Sequence, residues 1–390
     1  MINIPIQKEK VAVVAVGYNR LGSMRRLLTS LNNAEYPNED VPLVISIDAS
    51  GDHELYEFVL SFNWQHGEKF VNIQEERLGL KNHILQCGDL TQYFKGIILL
   101  EDDLYVAKDF YTYTISALEY YDNDNRIAGI SLYRNAMNGF MGIPLQLEIA
   151  GGDCFACQSV SSWGEAWSAR MWKGFRTWLS DWKEDFSSLQ MVEDIKHWTR
   201  AWSKYYYAYI ILNDLYFIYP YVSYTTNFAD AGGEHGSEGD SNVQVVIPTS
   251  ISAFNFQPFD KLVKYDVYVQ NMSLYQVLGL SKDELSLDLN GMRTKDGVKK
   301  DYCLSILELP FPVVKSFGLQ LRPLELNVKH GVTGKGIYLY KQDKANANVG
   351  KITMPLRFID YSLQGFNRRG ILRYSLHILK QIIKEKLHIK

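Results

Sequence analysis

Five short apolar runs recur between residues 11 and 131, and the stretches that separate them carry their apolar residues at helical spacing. Residues 11–16 (Val-Ala-Val-Val-Ala-Val) are apolar throughout, the pattern of a strand covered on both faces of a parallel sheet. Residues 42–48, 69–74, 96–100 and 127–131 supply the further strands, with helical segments expected at 21–31, 54–62, 80–94 and 108–121. This rhythm predicts a doubly wound α/β fold: a mainly parallel, Rossmann-like sheet with helices on both faces. Ligands of such a sheet bind at the carboxyl ends of its strands.

A chain of 390 residues is long enough for more than one compact unit. With 46% hydrophobic and 22% charged residues it buries a core, which excludes disordered and collagen-like classes. The net charge of -3 offers no global attraction to nucleic acid, so none is expected as a partner. Four cysteines, Cys87, Cys154, Cys157 and Cys303, are too few for a disulfide framework, and Cys154-x-x-Cys157 lacks the second ligand pair that zinc requires. With neither an apolar run long enough to span a bilayer nor a basic-then-apolar leader, the expected location is cytoplasmic. The expected organisation is a main α/β region over residues 1–250, of which 151–250 form the later part, an accessory region over 251–367 and a terminal helix over 368–390.

The chemistry concentrates where strands end. Residues 96–100 run straight into Glu101-Asp102-Asp103, and three adjacent acids repel one another unless a cation or hydrogen-bond donors compensate. Hard divalent ions such as Mn²⁺ or Mg²⁺ take one or two carboxylates from protein and complete their shell with phosphate and water. The first strand is followed by Arg20, whose guanidinium matches phosphate geometry, and the second by Asp48, placed to accept from a nucleoside. No Gly-x-Gly-x-x-Gly or P-loop lysine motif is present.

Seven of the eight tryptophans fall between residues 163 and 202, among many tyrosines. Core packing is the plain explanation, but indoles also stack on sugar faces while offering a polar edge. In the tail, Arg368, Arg369, Arg373, Lys380, Lys384, Lys386 and Lys390 stand against Glu385 alone, interleaved at helical spacing with Ile371, Leu372, Leu376, Leu379, Ile382, Ile383 and Leu387. Such a helix suits an anionic membrane surface, or packs its apolar stripe on the protein.

The order of strand plus Asn-Arg, strand plus Asp, and then Leu-Leu-Glu-Asp-Asp-Leu-Tyr-Val-Ala-Lys-Asp-Phe resembles the GT-A glycosyltransferases. Within them the chain looks closest to the inverting N-acetylglucosaminyltransferases that start complex N-glycans and to bacterial family 2-like surface-polysaccharide transferases. The resemblance covers residues 11–237 and implies that residues 1–250 are a nucleotide-sugar-binding and catalytic region, with its acceptor side in about 151–250. It implies that Asp103 holds the metal that bridges a donor diphosphate, that Asp102 contacts ribose or metal-bound water, and that Glu101 approaches the donor sugar. Asp48 would hold uracil, Arg20 would lie near the phosphates, and His235 would sit in a loop that closes over the donor. On the acceptor side the resemblance points to Trp163, Trp167 and Trp182, with Asp181 or Glu165 as catalytic base. A UDP-sugar donor, a glycan acceptor on a polyprenyl diphosphate, and a role in O-antigen or capsule assembly at the inner membrane face follow as expectations. A nucleotidyltransferase or sugar-nucleotide pyrophosphorylase is an alternative, although residues 16–20 lack its Gly-rich, lysine-bearing loop; a non-catalytic carbohydrate-binding protein with a degenerate transferase domain is another.

Overall fold

The computed structural model describes residues 4–37, 40–139, 141–230, 243–250, 253–292, 297–342, 354–363 and 367–386. The chain folds as two compact units, Met1–Phe140 with Leu145–Ser281, and Met141–Pro144 with Lys282–Lys390. The strands of the first part of the chain are β1 (Gln7–Gly17), β2 (Leu43–Ile47), β3 (Lys69–Ile73), β4 (Phe94–Glu101), β5 (Leu104–Val106) and β6 (Ile127–Ser131). They are followed by β7 (Met137–Asn138), β8 (Ile143–Pro144), β9 (Cys154–Cys157), β10 (Glu165–Ser168), β11 (Tyr216–Pro220), β12 (Thr225–Asn227) and β13 (Lys264–Tyr265). A nine-stranded sheet runs in the order β13-β9-β11-β6-β10-β4-β1-β2-β3. Pairs β1–β2, β1–β4, β2–β3, β6–β11 and β9–β13 are parallel, which makes the sheet the mainly parallel α/β sheet that the apolar runs predict. The first unit extends through Ser281 because β13 adds to this sheet beside β9.

The helices of this unit are α1 (Leu21–Asn32), α2 (His53–Ser61), α3 (Gly79–Gly88), α4 (Phe110–Tyr121), α5 (Ala169–Asp181), α6 (Glu193–Lys196), α7 (Ser203–Leu212) and α8 (Ser273–Leu278). Asp52 caps α2 by accepting from the Leu55 amide at 3.0 Å, and Ser168 caps α5 by accepting from Met171 at 3.3 Å.

The parallel pattern breaks at β9, antiparallel to β11, and at β10. β10 lies antiparallel to both neighbours, with Glu165 opposite Leu99 of β4 and Ser131 of β6. Gly164, at φ +104, makes the turn into it, a conformation that favours glycine. The Trp163 carbonyl accepts from the Thr225 hydroxyl at 2.6 Å, and the Gly164 carbonyl from the Leu132 amide at 2.9 Å. Because β10 runs backwards, its first residue faces the carboxyl end of β4 and its last faces the amino end, where Ser168 pairs with Gly96.

The aromatic core lies behind β10. Trp167, Trp172 and Trp202 are fully buried around Tyr206, with Trp167 and Trp172 centroids 4.8 Å apart and Trp167 stacked on Tyr206 at 5.8 Å. Cys154 and Cys157 sit three residues apart on β9 and therefore point to opposite faces. The Cys154 thiol contacts the Tyr121 hydroxyl at 3.2 Å, and burial pushes both thiols up, Cys154 to about 11. They are inert core residues.

In the second unit β14 (Leu285–Asp288), β15 (Tyr302–Ser305), β16 (Val313–Phe317) and β17 (Ile337–Lys341) form a sheet ordered β14-β15-β17-β16. Leu285, Leu304, Phe317 and Ile337 bury its core. The same unit carries α9 (Leu324–Lys329), α10 (Leu356–Ser362) and α11 (Arg368–Lys386). No helix of the described residues is long and apolar enough to cross a membrane.

Candidate active site

The parallel register aligns the ends of three strands: Val16 lies beside Glu101, and Gly17 beside Ile47. The residues that follow, Tyr18 to Arg20, Asp48, and Asp102-Asp103, therefore leave the sheet at one edge. Arg20 closes the acidic cluster from within. Its guanidinium pairs with Asp102, donating through Nη2 to Oδ1 and through Nε to Oδ2 at 3.3 Å, and it reaches Asp103 Oδ2 at 3.5 Å. Burial pushes the Asp102 carboxyl up to about 6, against the opposing pull of Arg20. For Arg20 burial acts downward, but the Asp102 and Asp103 charges outweigh it and hold the guanidinium above its ordinary value.

Asp103 is the carboxylate with capacity left. Its Oδ1 is buried and has no hydrogen-bond partner among the described residues. No group of three or more His, Cys, Asp or Glu side chains forms a metal cage among the described residues. The donor set fits a hard divalent ion held by one carboxylate, with phosphate oxygens and water completing the shell.

Asp48 is buried and works as a backbone anchor. Its Oδ1 accepts from the amides of Ala49 at 2.9 Å and Leu78 at 2.8 Å, and its Oδ2 from Gly79 at 2.9 Å. These bonds fix the start of α3 against the end of β2. Beneath it His83 is buried with a ring nitrogen 2.8 Å from the Ser46 hydroxyl, and burial lowers its pKa to about 4. Above, the Arg77 guanidinium covers the half-buried Tyr18 ring at 4.5 Å.

Glu165 stands one strand away from the acidic cluster. The register with Leu99 puts it on the same sheet face as Glu101, two residues further along β4. Glu165 is completely buried, neither carboxyl oxygen has a hydrogen-bond partner among the described residues, and burial, with a smaller contribution from the Glu101 charge, raises its pKa well above the ordinary carboxylate value. The buried Tyr219 hydroxyl is close enough to feel its charge.

The remaining expected residues fall elsewhere. Trp163 is half-buried, edge-on to Tyr133 at 4.8 Å. Trp167 corrects the acceptor-side expectation: with no exposed surface and its ring packed on Trp172, Trp202 and Tyr206 it is core, and no acceptor can reach its ring without unpacking the sheet. Asp181 is exposed at the end of α5, beside the Ser180 hydroxyl at 3.3 Å. That helix begins at the amino end of β4, where Arg176 and Trp172 bond to Asp89, and the chain just beyond its last residue meets the first turn of α3, with Glu184 pairing to Lys81 at 3.8 Å. Asp181 and Trp182 line a depression of about 660 Å³ with Trp178 and Tyr209, and the two indoles stack 4.7 Å apart. His235 lies outside the described residues.

The sequence reading missed Asp230. Its carboxylate accepts from the Ser23 hydroxyl at 2.6 Å and from Arg26 at 3.1 Å, and those bonds outweigh its burial and lower its pKa. Antiparallel pairing of β12 with β5 brings this segment in, and the Phe228 amide donates to the Asp103 carbonyl at 2.9 Å. No local signal marks a contact between residues 23 and 230.

No family model and no curated protein matches this sequence. Among solved structures the chain is similar to S. aureus TarS residues 1–349 in complex with UDP-GlcNAc, at 15% identity and TM-score 0.40 over 59% of this chain and 61% of that one. It is similar to the mannosyltransferase PcManGT from Pyrobaculum calidifontis in complex with GDP-Man and Mn²⁺, at 13% identity and TM-score 0.32 over 41% of this chain and 44% of that one. GalNAc-T7 with UDP, GalNAc and Mn²⁺ is similar at 12% identity and TM-score 0.37 over 54% of this chain and 42% of that one. In each case the match spans less than two thirds of the other protein's chain.

Proposed function

We propose that this chain is a metal-dependent, inverting glycosyltransferase that moves a sugar from a nucleotide diphosphate, UDP by preference, to a glycan hydroxyl. The observation that carries this reading is the buried Asp103 oxygen at the strand-end edge shared with Arg20, one strand from the buried Glu165, both without a hydrogen-bond partner among the described residues. Asp103 would hold Mn²⁺ or Mg²⁺, whose contribution when bound is to offset charge on the leaving diphosphate. Arg20 presents a guanidinium at the same edge, with Nη1 buried and unbonded among the described residues. The Asp48-anchored loop and Tyr18 form the nucleoside side, and Glu101 the sugar side.

Glu165 is the base favoured by position, and because it is completely buried its use requires the side chains that cover it to part for the acceptor. A general base has to stand within reach of the hydroxyl whose proton it takes, and Glu165 is the carboxylate one strand from the acidic cluster. It removes the acceptor hydroxyl proton as the oxygen attacks the anomeric carbon, the bond to the diphosphate breaks, and the nucleoside diphosphate departs with the bonding electrons. The aromatic depression of Trp178 and Trp182 offers stacking faces for a longer glycan, and a polyprenyl-diphosphate acceptor of O-antigen or capsule assembly is the proposed class. The reading is tested by calorimetric titration of UDP-sugars with and without Mn²⁺ into the wild type and Asp103→Ala. Metal-dependent binding that Asp103→Ala loses supports it, and no nucleotide binding under any metal condition overturns it.

The internal pairing of Arg20 with Asp102 and Asp103 favours one second reading, a carbohydrate-binding protein whose acids are held by their own counter-ion. Metal-dependent UDP binding without turnover on any acceptor would select it.

A further inference from the structure

The last described helix leaves its apolar side in solvent. On α11, Leu372, Leu376, Leu379 and Ile383 are 63%, 50%, 52% and 47% exposed, and their spacing of four, three and four residues aligns them in one stripe. Ile382 adds exposed apolar surface beside it. Arg369, Arg373 and Lys380, all exposed, border the stripe on one flank, and the sequence continues basic through Lys384, Lys386 and Lys390. Water-exposed leucine and isoleucine in a row are costly, and a contiguous stripe of them marks an interaction surface.

The charges choose the occupant. The same four-three-four spacing could form a coiled-coil seam with a second copy, but that pairing brings Arg373 and Lys380 of one helix toward like charges of another and offers no acidic partner at the flank. A surface that is apolar in depth and anionic at its rim satisfies both halves of the helix. We propose that α11 is a docking helix for an anionic lipid surface. It lies parallel to the leaflet, with Leu372, Leu376, Leu379 and Ile383 at the acyl boundary and Arg369, Arg373 and Lys380 among the headgroups. The helix binds from the surface and does not cross, in keeping with its mixed composition.

The test is co-sedimentation of the full chain with vesicles of phosphatidylcholine, alone or mixed in equal parts with phosphatidylglycerol. The wild type binds the mixed vesicles and not the neutral ones. The triple variant Arg369→Glu, Arg373→Glu, Lys380→Glu lowers the partition coefficient roughly a hundredfold or more, and Leu376→Gln with Leu379→Gln lowers it to a similar degree. All five positions are exposed, so each variant keeps the melting behaviour of the wild type. Equal binding to neutral vesicles, or full binding by the triple variant, overturns the proposal. So does an absence of vesicle binding together with a dimer in light scattering that the Leu376 and Leu379 changes abolish, which assigns the stripe to a second copy. Vesicle binding needs no nucleotide, so its outcome is independent of the calorimetric test of the donor site.

Discussion

Burial pushes the Asp102 carboxyl up from 3.8 to about 6, and pushes the His83 imidazole down from 6.5 to about 4. The signs oppose. Folded Asp102 keeps a proton that the unfolded carboxyl releases, so its contribution is full below pH 3.8 and is lost as pH rises through 6. Folded His83 stays neutral while the unfolded imidazole charges, so its contribution is full above pH 6.5 and is lost as pH falls through 4. Each is worth roughly 3 kcal/mol, and in the wild type the two largely cancel. Urea unfolding across this range should show Asp102→Asn gaining stability as pH rises and His83→Gln losing it; matching slopes in both variants would refute the assignment. For the base, Glu165→Gln should keep the fold and lower the transfer rate by roughly 10²- to 10⁴-fold, while Asp181→Asn stays within a few-fold of wild type. A larger loss in Asp181→Asn would reverse the assignment. Arg20, Asp48, Asp102 and Asp103 were legible because a strand end exposes its next residues by topology alone. Asp230 and His83 were not, since each takes its role from a partner distant in sequence, Ser23 and Ser46.

At the scale of the element, the apolar runs mapped closely onto the parallel strands: residues 127–131 are β6, and 96–100 lie inside β4. A fully covered strand has to be apolar along its length, so its sequence announces it. The four residues of β10 could not be read this way. Glu-Ala-Trp-Ser carries no strand pattern, and its conformation comes from the Gly164 turn and from neighbours on both sides. The tryptophan-rich segment was ambiguous for a related reason: Trp167 and Trp178 share a composition, but one lies inside the sheet and the other on a helix face. Helix α3 meets this core at Gly88, where an added Cβ would fall 2.0 Å from the Trp172 ring. That ring is fixed by its Nε1 bond to Asp89 at 2.8 Å. Gly88→Ala should therefore cost about 1–3 kcal/mol or more, read as a lower urea midpoint with the slope unchanged.

For the whole molecule, two units with separate sheets and cores predict more than one unfolding step. A calorimetric enthalpy larger than the van't Hoff value is the expected sign, and coincident transitions by all probes would argue against it. Every described residue of the proposed donor site belongs to the first unit, so UDP-sugar with Mn²⁺ should stabilise that unit's transition alone, by about 2.7 kcal/mol at a hundredfold excess over Kd. The position of β4, between β1 and β10 in the middle of the nine strands, carries one more consequence. Its residues Gly96 to Leu99 are buried and paired to β1 on one side and β10 on the other, so in heavy water their amides should belong to the slowest-exchanging class, while those of the edge strand β3 exchange through local opening. The platform beneath Glu101 and Glu165 would then open only when the unit itself unfolds, and the acids would ride on the least yielding backbone in the chain.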